Sequence, residues 1–275
     1  MAESSENRIP NVLSIAGVDP SGGAGVFADI KTFSANGAFG TGVVTALTAQ
    51  NTRGVTGVLP VHPDFVRQQL DTLFDDVRID AVKIGMLDNA ELIRTVAAVL
   101  KERKPPFVVL DPVMVAKSGD RLLQEEAVSA LIEYLLPLST VLTPNLPEAL
   151  ALLGKPGVIE EEDFPSVAQD IWKMMKNRDA WVYLKGGHLE GEYAYDLLLN
   201  GILRVPYSAT RIQTKNTHGT GCTLSSAIAA LLPQSSDVPE ACRRAKDYLT
   251  GAIAAADRLS VGSGHGPTHH FWNLW

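Results

Sequence analysis

The run THGTGCTLSSA (217–227) sets two glycines and a cysteine directly ahead of a helical stretch. At such a junction the unpaired backbone N–H groups of the first turn and the helix dipole both favour an anion. Gly219, Thr220, Gly221 and Cys222 are therefore candidates for holding a phosphoryl group, although the same residues also describe an ordinary glycine-led helix start. A second turn, GVDPSGGAGVFADIK (17–31), follows a strand-like run and opens another helix. It contains neither Gly-x4-Gly-Lys-Ser/Thr nor Gly-x-Gly-x-x-Gly, so it is not a P-loop or a dinucleotide fingerprint. It reads as a close-packed loop that lets a ligand approach backbone, with Asp19 and Asp29 available for polar atoms.

Acidic residues recur where strands should end: Asp111 in LDPVM and Glu148 in TPNLPE. Carboxylates at the C-terminal ends of parallel strands can hold a hydrated Mg²⁺; equally, Glu148 can favour the start of the helix after Pro147. Lys185 in KGG and Met86 in KIGM belong to the same edge, and a lysine there could neutralise a transferring phosphate or simply extend into solvent. His265, His269 and His270 crowd a glycine-rich tail without neighbouring carboxylates, which reads as a docked loop rather than a zinc site. Cys242, in EACRRAKDYL, reads as a core residue.

These residues need a frame. Short β-rich runs at 11–17, 81–85, 107–111, 140–144 and 180–187 alternate with amphipathic stretches at 24–36, 64–76, 89–103, 123–136 and 163–177. Near-continuous apolar strands between helices predict a mainly parallel sheet covered on both faces, a three-layer αβα sandwich. Residues 39–62 break the alternation as a hairpin around NTRG, projecting from the main sheet as a flap, and 193–207 form an antiparallel edge around NG. Residues 1–10 read as a flexible extension and 11–275 as one domain.

Composition narrows the function. The 275 residues carry a formal charge of −7 and are 45% hydrophobic, which argues against a nucleic-acid or anionic-membrane partner and for a small-molecule one. Two cysteines provide neither a disulfide framework nor zinc spacing, and MAESSENRIP lacks the apolar core of a secretory signal, so a cytoplasmic protein is expected. No apolar run approaches the ~18 residues that span a bilayer.

Taken in order, AGVDPSGGAG, ADIKTFSANG, TALTAQNT, KIGM, LDPVM, KSGD, TPNLPEA, KGGH, KNTHGTGCT and the closing GPTHH resemble the hydroxymethylpyrimidine and phosphomethylpyrimidine kinases of thiamine biosynthesis. These form a branch of the ribokinase-like superfamily, and the resemblance runs from about residue 11 to the end. It implies ATP-dependent phosphorylation of 4-amino-5-hydroxymethyl-2-methylpyrimidine and then of its monophosphate, with Mg²⁺ and a homodimer. It further implies that Gln50 reads the pyrimidine edge, with Gly17, Asp19 and Asp29 lining the pocket and Met86 and Val113 as apolar walls. Asp111 and Glu148 would hold Mg²⁺, Lys185 and Asn145 would contact the nucleotide, and Gly219–Cys222 would form the anion hole. Cys222 stands where sugar kinases of the superfamily carry a basic aspartate, and a helix N-terminus should lower its thiol pKa from about 8.5. A kinase is expected to have a water-excluding flap, and 39–62 and 115–121 are the loops whose closure the sequence leaves open. A pyridoxal kinase of the same branch and a non-catalytic pyrimidine-binding regulator are the alternatives.

Overall fold

The computed structural model describes residues 8–114, 125–187, 189 and 191–275. Most of the expected N-terminal extension, the loop 115–121 with its KSGD motif, and His188 lie outside the described residues. Nine strands form one sheet: β1 (Asn11–Val18), β2 (Phe39–Asn51), β3 (Gly54–Pro60), β4 (Ala81–Ile84), β5 (Phe107–Leu110), β6 (Val141–Leu142), β7 (Trp181–Lys185), β8 (Tyr193–Leu199) and β9 (Arg204–Thr210). Their order is β3-β2-β1-β4-β5-β6-β7-β8-β9. The run from β2 to β7 is parallel, and β3, β8 and β9 add antiparallel edges. This is the expected mixed α/β sheet.

The helices are α1 (Gly25–Ala35), α2 (Pro63–Asp76), α3 (Ala90–Arg103), α4 (Glu125–Ala130), α5 (Leu146–Leu153), α6 (Phe164–Met175), α7 (Thr220–Leu231) and α8 (Val238–Ala254). Their starts are written locally. Asn89 accepts from the Leu92 N–H at 2.8 Å, Asp237 accepts from the Glu240 N–H at 2.8 Å, and prolines open α2, α5, α6 and α8. Side-chain alternation along the strands splits the core in two. Leu13, Val82 and Leu110 pack under α2 to α6, whereas Val12, Ala81, Val109 and Tyr183 pack against α1, α7 and α8. The three layers of the sandwich are thus present.

The hairpin differs from expectation. β2 is itself a strand of the main sheet, pairing with β1 from Phe39 to Leu47, and only its far end pairs with β3. Thirteen residues are long enough to do both in succession. Where β2 has no neighbour on its outer side, the Gln69 amide donates to the Val44 carbonyl and accepts from the Val44 N–H, both at 3.1 Å.

The α1/α7 face of the sheet is not wholly apolar. Lys83 on β4 is fully buried, and its Nζ donates to both carboxylate oxygens of Asp29 on α1 at 2.9 Å. Ser14 Oγ on β1 donates to Asp29 at 2.6 Å and Ser226 Oγ on α7 at 2.7 Å, so four elements meet on one carboxylate. Removing one partner of such a pair strands a buried charge. Lys83→Met is therefore expected to cost about 3–5 kcal/mol by urea denaturation, and adding Asp29→Asn to it should restore part of the loss. Equal stability of Lys83→Met and wild type would contradict this account.

Candidate active site

The C-terminal ends of β1, β4, β5, β6 and β7 open into a cavity of about 700 Å³. The sheet and the start of α7 build its centre. On the sheet side, the face that carries Ala81, Val109, Val141 and Tyr183 continues into Lys83, Asp111, Thr143 and Lys185, because side chains two apart share a face. Opposite them lies the first turn of α7. Thr223 N–H is the first to bond back within the helix, reaching the Gly219 carbonyl at 2.8 Å, so the N–H groups of 220–222 precede the ladder. Gly219 has φ 76°, and a Cβ there would lie 1.8 Å from the Gly23 carbonyl oxygen, so only glycine lets the two loops touch. At Gly221 a Cβ would point into the site, 3.4 Å from Lys185 Nζ and 3.7 Å from Asp111 Oδ2.

Lys185 Nζ donates to Asp111 Oδ1 at 3.0 Å and stands 3.8 Å from Glu148 Oε2. Thr143 and Ser225 hydroxyls donate to the two Asp111 oxygens at 3.1 and 3.2 Å. Burial opposes ionisation of Asp111, yet Lys185 and Lys83 hold its carboxyl below the usual range. Glu148 lacks that support: burial, with the Asp111 charge, pushes it up to about 7 despite Lys185. Glu148 also forms a reciprocal cap with Asn145, each side chain accepting from the other's backbone N–H at 2.8 and 2.9 Å. The two readings of Glu148 are therefore compatible. Lys185 and Lys83 are both held above the ordinary lysine range, because burial is outweighed by their carboxylate partners.

Cys222 corrects one expectation. Burial pushes its thiol up, and the Asp29 and Asp111 carboxylates add to this; Lys83 and the Gly25 N–H pull the other way without prevailing. The pull of the helix N-terminus on a thiol is outweighed here by burial, although Cys222 is only part-buried and lines the cavity.

Gly17, Asp19, Gln50, Met86, Val113 and Asn145 all line the same cavity. A Cβ on Gly17 would meet Met86 Cε at 2.8 Å, so the glycine makes room for the methionine wall. Asp29 is a second correction. It is fully buried beneath the cavity and absent from its lining, because all its oxygens are taken by Lys83, Ser14 and Ser226. Asp19 reaches the wall, but its carboxylate already accepts from the N–H groups of Ser21 and Ala24, from Ser21 Oγ, and from His218 Nε2 at 2.7 Å. It acts on the shape of the loop.

Sequence reading missed Lys83, His218, and the Asp196–Lys246 pair, all of which line the cavity. Lys246 Nζ donates to Asp196 at 2.6 Å, and Asp196 also accepts from Tyr183 Oη and the Gly186 N–H. Lys83 and His218 sit inside the quoted runs KIGM and THGTGC, so a signal was present there; Asp196 and Lys246 have no local motif. The tail histidines are engaged elsewhere: His270 Nε2 lies 3.3 Å from Thr223 Oγ1, and His265 Nδ1 lies 3.2 Å from the Lys215 carbonyl. Among the described residues no three His, Cys, Asp or Glu side chains form a metal cluster, and no helix is long and apolar enough to cross a membrane.

Residues 19–269, which hold all of the described cavity lining except Ala16, Gly17 and Val18, match the family described as phosphomethylpyrimidine kinase. The chain belongs to that family. The hydroxymethylpyrimidine/phosphomethylpyrimidine kinase of Escherichia coli is 50% identical over 265 residues, covering 96% of this chain and 98% of that protein. Among solved structures, an ADP complex of Bacillus subtilis pyridoxal kinase is 37% identical with a TM-score of 0.87, covering 96% of this chain and 98% of the other. Phosphomethylpyrimidine kinase from Clostridium difficile is 41% identical with a TM-score of 0.77, covering 89% and 99%. The N–H groups of 220–222 precede the helical ladder, and their residues line the cavity. Gly221→Ala should keep the folded structure, since alanine suits a helix, while the methyl group occupies the anion space. A loss of roughly 100-fold in kcat with an unchanged melting temperature is expected; retention of wild-type turnover would remove the turn from the chemistry.

Proposed function

We propose that this chain transfers the γ-phosphoryl group of ATP to the hydroxymethyl oxygen of 4-amino-5-hydroxymethyl-2-methylpyrimidine, and then adds a second phosphoryl group to the monophosphate. The observation that carries this reading is that Gln50, Lys185, Asp111, Glu148 and the turn 219–222 line one cavity. The Gln50 amide can accept from the exocyclic amine and donate to the adjacent ring nitrogen, an edge that a pyridine ring does not offer. Among the described residues its side-chain hydrogen-bond partners are Thr48 Oγ1 at 3.3 Å and His218 Nε2 at 3.5 Å, distances too long to hold it away from a ligand.

In the first step the substrate oxygen bonds to the γ-phosphorus, the bond to the bridging oxygen of ADP breaks, and the hydroxyl proton leaves to the Cys222 sulfur. Lys185 neutralises phosphate oxygens, and the N–H groups of 220–222 receive the charge that develops. The second step starts from an ionised phosphate and needs no base. Asp111 and Glu148 suit a hydrated Mg²⁺: two carboxylates flank a single ammonium, and this ion commonly takes one or two carboxylates together with water and phosphate. When bound, it would offset charge on the β- and γ-phosphates. Residues 11–275 act as one catalytic unit in this reading, which the continuous nine-stranded sheet supports.

A coupled ADP-release assay with hydroxymethylpyrimidine, its monophosphate and pyridoxal tests the whole. Turnover of both pyrimidines above pyridoxal is expected. Preference for pyridoxal would favour the second reading that the likeness to the Bacillus subtilis enzyme suggests, and binding without ADP release would leave a regulator. The first-step rate should climb with pH in an upper limb set by Cys222, whose thiol is held up by burial and ionises only as pH rises. Cys222→Ala should lose the upper limb and slow the first step more than the second; equal loss in both steps would exclude the base role.

A homodimer belongs to the same reading, supported by exposed Leu47, Val58 and Leu59 on the hairpin. Light scattering should return twice the 29.5 kDa chain mass; a monomer mass would remove that part.

A further inference from the structure

The β2–β3 turn projects beyond the sheet, with Asn51 and Arg53 exposed, yet Thr52 between them is only 8% exposed. Its cover comes from residues 262–266, more than two hundred positions later. The His265 N–H donates to the Thr52 carbonyl at 2.9 Å, the Gly264 N–H to Thr52 Oγ1 at 3.1 Å, and Arg53 Nε to Ser263 Oγ at 3.1 Å. The approach is close enough that a Cβ on Gly264 would lie 2.1 Å from the Thr52 carbonyl oxygen. Gly262, at φ +66°, would place one 2.2 Å from Thr52 Oγ1.

The other end of this segment grips the turn that leads into α7. The His218 N–H donates to the Gly266 carbonyl at 3.0 Å, and the Gly266 N–H donates to Asn216 Oδ1 at 3.1 Å. Asn216 Nδ2 in turn donates to Asp257 at 2.7 Å, which fixes the orientation of that amide. Residues 262–266 therefore span from the residue two after Gln50 to the residue just before Gly219.

We propose that Thr52 and Gly264 are positioning residues: the segment 262–266 is a strap that holds the hairpin tip, and with it Gln50, in register with the anion turn 219–222. This rests on the reading of Gln50 as the pyrimidine-recognising group. An isolated two-stranded tip is marginal in water, so an untethered Gln50 would have to be ordered by the substrate at a cost to affinity. Among the described residues the strap's hydrogen bonds run to Thr52, Arg53, Lys215, Asn216 and His218, whereas Lys185 is held by Asp111 and Asn145 by Glu148, so nucleotide binding should be insulated from it.

Thr52→Val keeps the shape and deletes the hydroxyl acceptor; Thr52→Ser keeps the hydroxyl. With Thr52→Val, KM for hydroxymethylpyrimidine should rise about 3- to 10-fold, the weight of one hydrogen bond. KM for ATP and kcat should stay within about twofold, as for a substitution remote from their groups. Amide hydrogen exchange across residues 48–53 should quicken in the same variant, and Thr52→Ser should behave as wild type in both measurements. Gly264→Ala should exaggerate both effects. Unchanged pyrimidine KM, a parallel rise in both KM values, or a change in KM without faster exchange would each overturn the proposal. Failure of the wild-type chain to release ADP with the pyrimidine would instead sink the proposed function, and the exchange comparison would then decide alone whether the strap holds the tip.

Discussion

A single ion pair, Lys83 with Asp29, sits where β1, β4, α1 and α7 converge, and the arrangement of the site follows from it. Its bidentate contact, closed by the Ser14 and Ser226 hydroxyls, satisfies a carboxylate that has no access to water. A pair of this kind adds little net stability over an apolar substitute, but it tolerates only one geometry. That geometry fixes α1 and α7 against the sheet by charge rather than by packing alone. The two helices begin at the two loops that enclose the cavity, so their N-termini are aimed by a contact lying beneath the reacting groups.

Much of the frame was legible in the sequence, and for a physical reason. Strands such as NVLSIAGV and WVYLK are covered on both faces, so their apolar runs are nearly unbroken and stand out from the helical periodicity around them. Glycines at 219 and 221 marked the anion turn because their roles are local, in backbone conformation and free space. What stayed hidden was set by distant neighbours. Lys83 in AVKIG looks like an ordinary strand residue until α1 brings Asp29 over it; from sequence, that same Asp29 looked free to meet a ligand. Cys222 shows the same limit. Its helix start is local and suggested an acidic thiol, whereas burial and the Asp29 and Asp111 carboxylates, brought from distant parts of the chain, decide the direction.

The site spaces its charges unevenly. Lys185 serves Asp111 closely and Glu148 loosely, so one carboxylate is held firmly ionised while its neighbour rests near neutrality. An arriving phosphate or cation would meet one fixed anion and one adjustable anion, with two ammonium groups on the same face of the sheet. Asp196 and Lys246 repeat the pattern at the far end of the cavity, where a buried pair ties β8 to α8. Polar groups at the strand ends are thus satisfied by one another before any ligand binds, which spares the protein a large rearrangement on binding.

The contact between Gly219 and the Gly23 carbonyl has a consequence for how such a chain can vary. Because a methyl group on Gly219 would overlap that oxygen, neither loop can drift alone: a residue inserted near Gly23 shifts the oxygen, and any side chain at Gly219 collides with it. Change at this junction has to arrive in both segments together, although nearly two hundred residues separate them in the chain. The two loops act as a single part of the fold.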